Sequence, residues 1–225
     1  MIRSGCVVLV AMLLVTGCAS VPKESVTPGG KPDALWQARR TELEALTQWQ
    51  LSGRVAIRTA DSGTSANLRW EKEAQQTQID LFGPFGGGKI RLWVDPVNAR
   101  LRDGQGRIFE APSASQALFD ATGWHIPFEA LGYWIRGLPA PGEIRSMQTD
   151  ARGALVTLSQ AGWDIAYREY GAFGETVLPR KIRISAWPET VQALSTRGEL
   201  AGDTLVVKLL LERWLGFASA AQTEQ

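Results

Sequence analysis

Long stretches of this sequence alternate between apolar and polar residues with a period of two. In the first run, 49–58, Trp49, Leu51, Val55 and Ile57 fall on one side of the chain and mostly polar residues on the other. Because side chains of a β-strand point alternately to its two faces, the run predicts a strand with one apolar and one hydrated face. The pattern recurs at 66–70, 78–81, 89–94, 154–159, 163–170, 181–186 and 204–212. These segments predict a mainly β fold, an antiparallel sheet that curls towards a barrel.

A helical pattern precedes the first strand. Trp36, Leu43 and Leu46 recur at spacings compatible with one helix face, and Asp33 is a candidate N-cap. The pattern predicts a helix from Asp33 to about Gln48.

Two further helices interrupt the sheet in the middle of the chain. The segment 113–116 resembles a capping box for a helix ending near Gly123. Pro127 suits the first turn of a second helix, which Gly137 and Pro139 end. Its apolar stripe consists of Phe128, Leu131, Trp134, Ile135 and Leu138. Helices inserted between strands of one sheet commonly lie across its end or face.

The N-terminus has the features of an export signal. Arg3 precedes ten consecutive apolar residues, 6–15, which are too few for a membrane span of about 20 residues. Val15-Thr16-Gly17-Cys18 looks like a lipobox, in which case residues 1–17 are removed and Cys18 is lipidated. The alternative is an ordinary signal peptide followed by a chance cysteine. Proline and glycine in 18–32 predict a flexible tether, which leaves 33–225 as a single domain.

Charge and cysteine content narrow the function further. The chain has 24 Lys and Arg against 23 Asp and Glu, so loss of Arg3 with the signal leaves a formally neutral mature protein. Nucleic-acid binding, which favours a basic excess, is not indicated. Cys6 also leaves with the signal, so the mature chain has no partner for Cys18 and no internal disulfide.

The sequence contains no recognisable catalytic constellation. His125 is the single histidine, which disfavours a metal pair or a catalytic triad. Ser20-Val-Pro-Lys23 lies in the tether without its partner motifs. The segment 83–89 has most of a phosphate-loop pattern, but Ile90 replaces the required Ser or Thr and a strand pattern follows. Carboxylates are scattered and cannot be paired in a cleft from sequence. We therefore predict no catalytic residue, metal site or cofactor.

One turn carries an aromatic residue where polar residues are usual. Phe85 lies among Gly83, Pro84 and Gly86, in a stretch whose glycine and proline predict a turn between strands. Turns normally expose their tips to water. Phe85 either folds back into the core or projects towards an apolar environment.

Four features together resemble the LolB family of outer-membrane lipoproteins. They are the lipobox, the pattern Trp49-x-Leu-x-Gly-Arg-x-Ala56 at the first strand, Pro84-Phe85-Gly86, and the central block 122–139 with its Ile-Pro-Phe and Trp-Ile-x-Gly-Leu-Pro motifs. The resemblance covers nearly the whole mature chain. Phe85 stands where the family's best-known member has leucine, and 188–203 holds an extra segment.

The resemblance implies a LolA/LolB-like fold, an incomplete antiparallel β-barrel, or half-barrel, with helices covering an apolar cavity. It implies a receptor and not an enzyme. The receptor accepts acylated cargo lipoproteins from the periplasmic carrier LolA and inserts them into the inner leaflet of the outer membrane. Pro84, Phe85 and Gly86 then form the loop that enters outer-membrane phospholipid. The implied protein is a lipid-anchored monomer facing the periplasm, and Ala19 after Cys18 favours the outer membrane.

The predicted cavity draws its lining from one strand face and the central helices. The candidates are Val55, Ile57, Leu68, Trp70, Ile79, Leu81, Leu92, Trp134, Ile135 and Leu138. Alternating apolar residues more often fill a solid core. A structural lipoprotein with a filled barrel and a lipid-anchored cell-wall enzyme are therefore the alternatives to a receptor.

Overall fold

The computed structural model describes residues 34–83 and 88–219, with side-chain burial as far as 216. This part of the chain contains four helices and eleven strands. In chain order they are α1 (Ala34–Glu44), β1 (Leu46–Thr59), β2 (Gly63–Lys72), β3 (Thr77–Phe82), β4 (Ile90–Val94), β5 (Ala99–Arg102), β6 (Ile108–Ala111), α2 (Ala114–Thr122), α3 (Phe128–Trp134), β7 (Ile144–Thr149), β8 (Leu155–Gln160), β9 (Trp163–Phe173), β10 (Thr176–Ala186), α4 (Pro188–Thr196) and β11 (Leu205–Ser219).

The strands form one antiparallel sheet whose order follows the chain around a ring. The order is β6-β5-β4-β3-β2-β1-β11-β10-β9-β8-β7, so the first strand pairs with both the second and the last. The two edge strands, β6 and β7, are consecutive in sequence, and α2 and α3 lie in the connection between them. The sheet is thus a meander that is left open where the helices are inserted. The predicted mainly β, LolA/LolB-like half-barrel is confirmed.

All eight alternating segments are strands, and three strands lack a clear alternating pattern. β5 and β6 have four residues each, too few to establish a period. β7 lies at the sheet edge and exposes most of its side chains on both faces. Its sequence therefore carries no apolar alternation.

The first helix is shorter than its sequence pattern predicts. It ends at Glu44 and not near Gln48, because the chain from Leu46 onwards pairs with β11, starting opposite Ser219. Strand pairing overrides the helical spacing of Leu46, which is buried as the first residue of β1. The position of Asp33 lies outside the described residues.

The central helices begin and end close to the predicted positions. Ser113 caps α2 by accepting a hydrogen bond from the backbone N–H of Gln116, at 3.1 Å. The reciprocal half of the predicted capping box is missing, because the Gln116 amide donates to Asp120 instead. Gly123 ends α2 in the left-handed conformation, and α3 starts directly after Pro127.

The extra segment 188–203 contains α4 and joins two neighbouring strands. β10 and β11 pair antiparallel on either side of this connection, with Ile184 opposite Val207. The added residues therefore leave the strand order of the sheet intact.

A close approach of two strands explains one residue of the Trp49-x-Leu-x-Gly-Arg pattern. A Cβ atom on Gly53 would lie 2.1 Å from the carbonyl oxygen of Leu210, in the strand beside it. The β1–β11 register shifts between Ser52 and Gly53. Glycine is required here because a side chain would separate the two strands that complete the ring.

Candidate lipid-binding cavity

The helices α2 and α3 lie against the inner face of the sheet and border a small apolar cavity. Its walls come from β1, β2, β3 and β11 on one side and from α2, α3 and their connection on the other. The lining residues are Val55, Ile57, Leu68, Trp70, Ile79, Leu81, Leu118, Trp124, Ile126, Phe128, Leu131, Val207 and Leu209. Every one is apolar, since the inward positions of the alternating strands face an apolar helix stripe.

The cavity volume is about 30 Å³. This space is on the order of one or two water molecules and far below the volume of an acyl chain. In this conformation the helices therefore rest almost directly on the sheet. A chain can enter only if the helices and the sheet separate.

A larger, open groove adjoins the cavity at the end of the sheet where β2 turns into β3. Its volume is about 670 Å³. Trp49 forms part of its apolar surface, and Glu44, Lys72 and Arg136 are among its polar residues.

Trp70 and Phe128 line both the groove and the cavity, with ring centroids 4.7 Å apart. This aromatic pair lies between the two spaces. The indole N–H of Trp70 is buried and has no hydrogen-bond partner among the described residues.

A second opening adjoins the other end of the cavity. Its volume is about 290 Å³, and it shares Ile57 and Trp124 with the cavity. The extra segment supplies part of its wall through Glu199, Leu200 and Ala201. The groove, the cavity and this opening follow one another along the inner face of the half-barrel.

Glu199 of the extra segment contacts His125 in the loop between α2 and α3. His125 Nε2 lies 3.1 Å from Glu199 Oε2, and Arg197 Nε lies 2.7 Å from the same oxygen. Burial lowers the pKa of His125, and the charge of Arg197 adds to this, while the charge of Glu199 opposes it. Neutral histidine is therefore favoured at this position.

The C-terminal end of α3 is held by buried hydrogen bonds. The side-chain oxygen of Gln160 accepts from Trp134 Nε1 at 3.2 Å and from the Ala140 N–H at 2.9 Å, and its amide donates to the Ala140 carbonyl at 2.7 Å. Tyr167 donates to the Trp134 carbonyl at 3.1 Å, and burial raises the pKa of its phenol, which keeps it a donor. These bonds fix α3 to β8 and β9.

Arg136 ties the same end of α3 to the start of the sheet. Its guanidinium donates to the carbonyls of Leu43 and Leu46, at 3.3 and 3.1 Å, where α1 ends and β1 begins. Burial lowers the pKa of Arg136, although the guanidinium remains charged at neutral pH.

Five buried residues at the C-terminal end of α3 and on the strands bonded to it are named together below as the anchor. They are Trp134, Ile135, Leu138, Gln160 and Tyr167.

Comparison with known proteins decides the family. Residues 47–214 match the family described as outer membrane lipoprotein LolB. An outer-membrane lipoprotein LolB of Alkalilimnicola ehrlichii is 35% identical over 192 residues, covering 85% of this chain and 94% of the relative. One from Stutzerimonas stutzeri is 37% identical over 174 residues, covering 76% and 84%.

The chain belongs to the LolB family.

A solved structure agrees with this membership at the level of the fold. A LolA superfamily protein from Nitrosomonas europaea superposes with a TM-score of 0.50 at 8% identity, covering 84% of this chain and 96% of that one.

Six of the ten predicted cavity residues line the cavity of this LolB-family protein. They are Val55, Ile57, Leu68, Trp70, Ile79 and Leu81. Leu92 is buried on the next strand, opposite Ile79. Trp134, Ile135 and Leu138 are buried but do not line the cavity, and hydrogen bonds to Gln160 and Tyr167 hold Trp134 against β8 and β9. Contact of any of the ten with lipid remains a prediction.

The cavity has seven lining residues that the sequence analysis did not select for it. Three of them, Phe128, Leu131 and Leu118, lie on helices whose positions the sequence predicts. Val207 and Leu209 alternate within the last predicted strand, so periodicity marks them as inward-facing. The full additional set is Leu118, Trp124, Ile126, Phe128, Leu131, Val207 and Leu209.

The predicted lipidation site and insertion loop lie outside the described residues. This applies to Cys18, to the signal and tether, and to Pro84, Phe85 and Gly86. Gly88, the first described residue after 84–87, has a φ of 65° and lies close to the β5–β6 turn, where a Cβ on Gly104 would be 3.1 Å from the Gly88 Cα.

Residues 34–83 and 88–219 contain neither a cluster of three or more potential metal ligands nor a helix long and apolar enough to span a membrane.

Proposed function

We propose that this protein accepts acylated lipoproteins from the carrier LolA and inserts them into the inner leaflet of the outer membrane. Membership of the LolB family and the LolA-superfamily fold support a role in lipoprotein localisation. The observation that carries the receptor role is the cavity between sheet and helices, whose lining is entirely apolar. A surface of this kind recognises an acyl chain by its volume and not by polar groups, which suits a receptor for many cargoes.

The energetics of acyl chains require such a binding site. Each methylene group removed from water contributes about 0.8 kcal/mol, so several long chains free in the periplasm would be very unfavourable. Cargo must pass directly from one apolar site to the next. Transfer needs no nucleotide if each acceptor binds the chains more tightly than the previous donor.

The cavity opens when α2 and the N-terminal end of α3 move off the sheet as one unit. The two helices are linked, because Ser115 bonds Glu129 through its backbone N–H and its hydroxyl, and the same hydroxyl accepts from the Phe128 N–H. The anchor at the other end of α3 is the fixed point of this movement. Separation of Trp70 from Phe128 would join the cavity to the open groove.

Trp70, between the groove and the cavity, offers a hydrogen-bond donor to polar groups of the cargo. The indole N–H of Trp70 has no hydrogen-bond partner in the described part of the chain, and leaving a buried donor unpaired costs about 1–3 kcal/mol. An ester or amide carbonyl at the head of an acyl chain would accept this hydrogen bond as the chain enters.

Membrane attachment is assigned to lipid on Cys18, with the tether leaving the domain free to meet the carrier. Cys18→Ala should leave the precursor uncleaved at this site. Recovery of mature, acylated protein from that variant would contradict the assignment.

Membrane insertion is assigned to Phe85. Exposing one aromatic ring costs on the order of 1–2 kcal/mol, which insertion into a bilayer would recover as a weak, reversible contact. Phe85→Glu should retain folding and receipt of cargo from LolA but block delivery into outer-membrane vesicles. Phe85→Leu is the matched control and should deliver normally.

Two measurements separate the possible results for Phe85→Glu. If thermal unfolding shows that Phe85→Glu lowers the free energy of unfolding by several kcal/mol, Phe85 is a core residue. Normal delivery by a stable variant would place the membrane contact elsewhere. Failure of the wild-type protein to receive cargo from the carrier would overturn the receptor function itself.

A further inference from the structure

Basic side chains form a row across four strands on the outer face of the sheet. Arg69 of β2 stands opposite Asp80 of β3, Asp80 opposite Arg91 of β4, and Arg91 opposite Arg102 of β5. Their chain neighbours Leu68, Ile79, Leu92 and Leu101 are buried in the core, so the row faces outwards. Directly paired residues in neighbouring strands lie about 5 Å apart, which makes the row continuous.

The single acid in this row does not balance its cations. Asp80 forms ion pairs with Arg91 at 2.6 Å and with Lys89 at 3.4 Å, and its side chain is only 3% exposed. Burial alone would raise the pKa of Asp80, but the hydrogen bond and charge of Arg91, together with Lys89, hold it below its ordinary value.

Asp80 therefore contributes one negative charge against the four positive charges of Arg69, Lys89, Arg91 and Arg102, which we call the cationic row. Arg69 and Arg102 make no ion pair with any acid in the described ranges. Like charges placed directly opposite, such as Arg91 and Arg102, destabilise a sheet. An external anion would relieve this repulsion.

The same strands carry acidic residues at their other end. Glu71 and Glu110 lie one register step beyond the cationic row on the outer face, and Glu73 and Asp95 lie at the turns after β2 and β4. Arg100, opposite Glu110, is exposed at the same step, so these four acids exceed the one cation among them. The outer face of β2–β6 is therefore polarised, with positive charge at one end and negative charge at the other. Such a surface orients a protein against a charged plane.

Apolar side chains accompany the cations. Ile108 stands opposite Arg102 and is 58% exposed, and Phe82 is half-buried on the outer face beside Asn67. Apolar side chains interspersed with Lys and Arg are typical of surfaces that lie in the head-group region of a bilayer. Lys89 lies between β3 and β4, in the same connection of the chain as Phe85, so the cationic row lies at the end of the sheet where β3 ends and β4 begins.

We propose that the cationic row binds the anionic phospholipid head groups of the leaflet that receives the cargo. This inference rests on the proposed function, delivery of cargo to the outer membrane. It adds to that function by specifying which end of the half-barrel faces the membrane. Guanidinium groups suit the task, since their planar donors bind phosphate oxygens in pairs. The acidic end, next to the open groove, then faces away from the membrane.

The test uses the mature chain, residues 18–225, with Cys18→Ala so that no lipid anchors it. Sedimentation with vesicles of phosphatidylethanolamine alone, or mixed with phosphatidylglycerol, measures binding. Arg69→Glu combined with Arg102→Glu should lower affinity for the mixed vesicles by at least about tenfold, given about fivefold for each basic residue at an anionic surface. Lysine at both positions should retain most of the binding.

The matched control reverses two exposed cations elsewhere. Arg152 lies in the β7–β8 turn with its side chain 89% exposed, and Arg168 is exposed on β9. Arg152→Glu combined with Arg168→Glu produces the same change in net charge and should bind mixed vesicles like the wild type. Added salt should weaken wild-type binding, because exposed charges are screened.

Three results would overturn the inference. Equal affinity of the wild type for both vesicle types would remove the anionic preference, and equal loss in the two double variants would reduce the effect to net charge. If the Arg69→Glu, Arg102→Glu variant bound vesicles normally but no longer received cargo from LolA, the cationic row would be a contact for the carrier. A wild type that binds mixed vesicles selectively but never receives cargo would contradict the proposed function and leave the lipid contact intact.

Discussion

The two ends of the central helix pair are held against the sheet by different forces. Around Trp134 and Leu138, α3 and the chain after it are fixed by the anchor, with three hydrogen bonds to Gln160 and one from Tyr167. Around Phe128 and Leu131, the contacts with the sheet across the cavity are apolar. Hydrogen bonds are directional and buried ones are costly to break, whereas apolar contacts tolerate sliding and replacement. The anchor end therefore stays fixed to the sheet, and the Phe128 end can exchange its contacts with the sheet for contacts with an acyl chain.

Leucine-to-alanine substitutions at the two ends compare them directly. Leu138→Ala in the anchor should cost about 4–5 kcal/mol, near the top of the range for buried leucines, because the fixed surroundings cannot close the gap. Leu131→Ala should cost about 2–3 kcal/mol, since the α2–α3 unit can settle onto the sheet. Denaturant unfolding of both variants measures the difference. Equal losses would mean that both ends are equally rigid.

Removing the polar part of the anchor should have the next largest effect. Gln160→Ala leaves two N–H donors and the Ala140 carbonyl without partners, at about 1–3 kcal/mol for each group, so we expect a loss of about 3 kcal/mol or more. Chemical denaturation gives this value. Gln192→Ala, at an exposed helix position, is the control and should be nearly neutral. A nearly neutral Gln160→Ala would show that apolar packing alone holds the anchor.

At the cavity end, a milder change should alter access more than stability. Phe128→Leu removes the aromatic contact with Trp70, worth about 1 kcal/mol beyond its buried area. The wall between groove and cavity becomes weaker, so binding of a fluorescent fatty acid should increase severalfold. Leu155→Met, at a buried position on β8, is a control that leaves this wall untouched. Unchanged fatty-acid binding by Phe128→Leu would mean that the pair does not separate the two spaces.

The smallest effect concerns His125, which contacts Glu199 beside the second opening. Because burial lowers the folded-state pKa of His125 below its usual 6.5, the unfolded chain binds this proton more readily. The stability contributed by neutral His125 is present above the unfolded value and is lost as the pH falls through the folded value. Melting temperatures of wild type and His125→Gln, compared from about pH 7 to about pH 5, should show a flatter profile for the variant. Parallel profiles would contradict this assignment.

Strand periodicity was sufficient to predict one wall of the cavity. Alternation marks Val55, Leu68 and Ile79 as inward-facing, since a strand fixes the direction of each side chain. Helical periodicity is less informative, because it identifies the apolar stripe of α3 without indicating what covers each part of it. Trp134 and Phe128 share that stripe, and only the folded chain brings Gln160 to Trp134, 26 positions away.

Features that depend on strand register could not be predicted from the sequence. Arg69, Arg91 and Arg102 are separated by more than ten residues each, and they form a row only through the pairing of four strands. The short β5 carries Arg102 but too few residues for a recognisable period. The LolB-family resemblance, in contrast, depends on local motifs such as the central block and is visible in the sequence alone.

The most direct test locates the acyl chain inside the unmodified protein. A cargo lipoprotein acylated with a diazirine-bearing fatty acid is transferred from LolA, irradiated, and the attachment sites are mapped by mass spectrometry. We expect adducts on cavity residues of the sheet and of the α2–α3 unit, such as Leu68, Leu118 and Leu131, and none on Leu138 or Leu155. Adducts concentrated in the anchor, or confined to the outer face of the sheet, would contradict a cavity that opens at the Phe128 end.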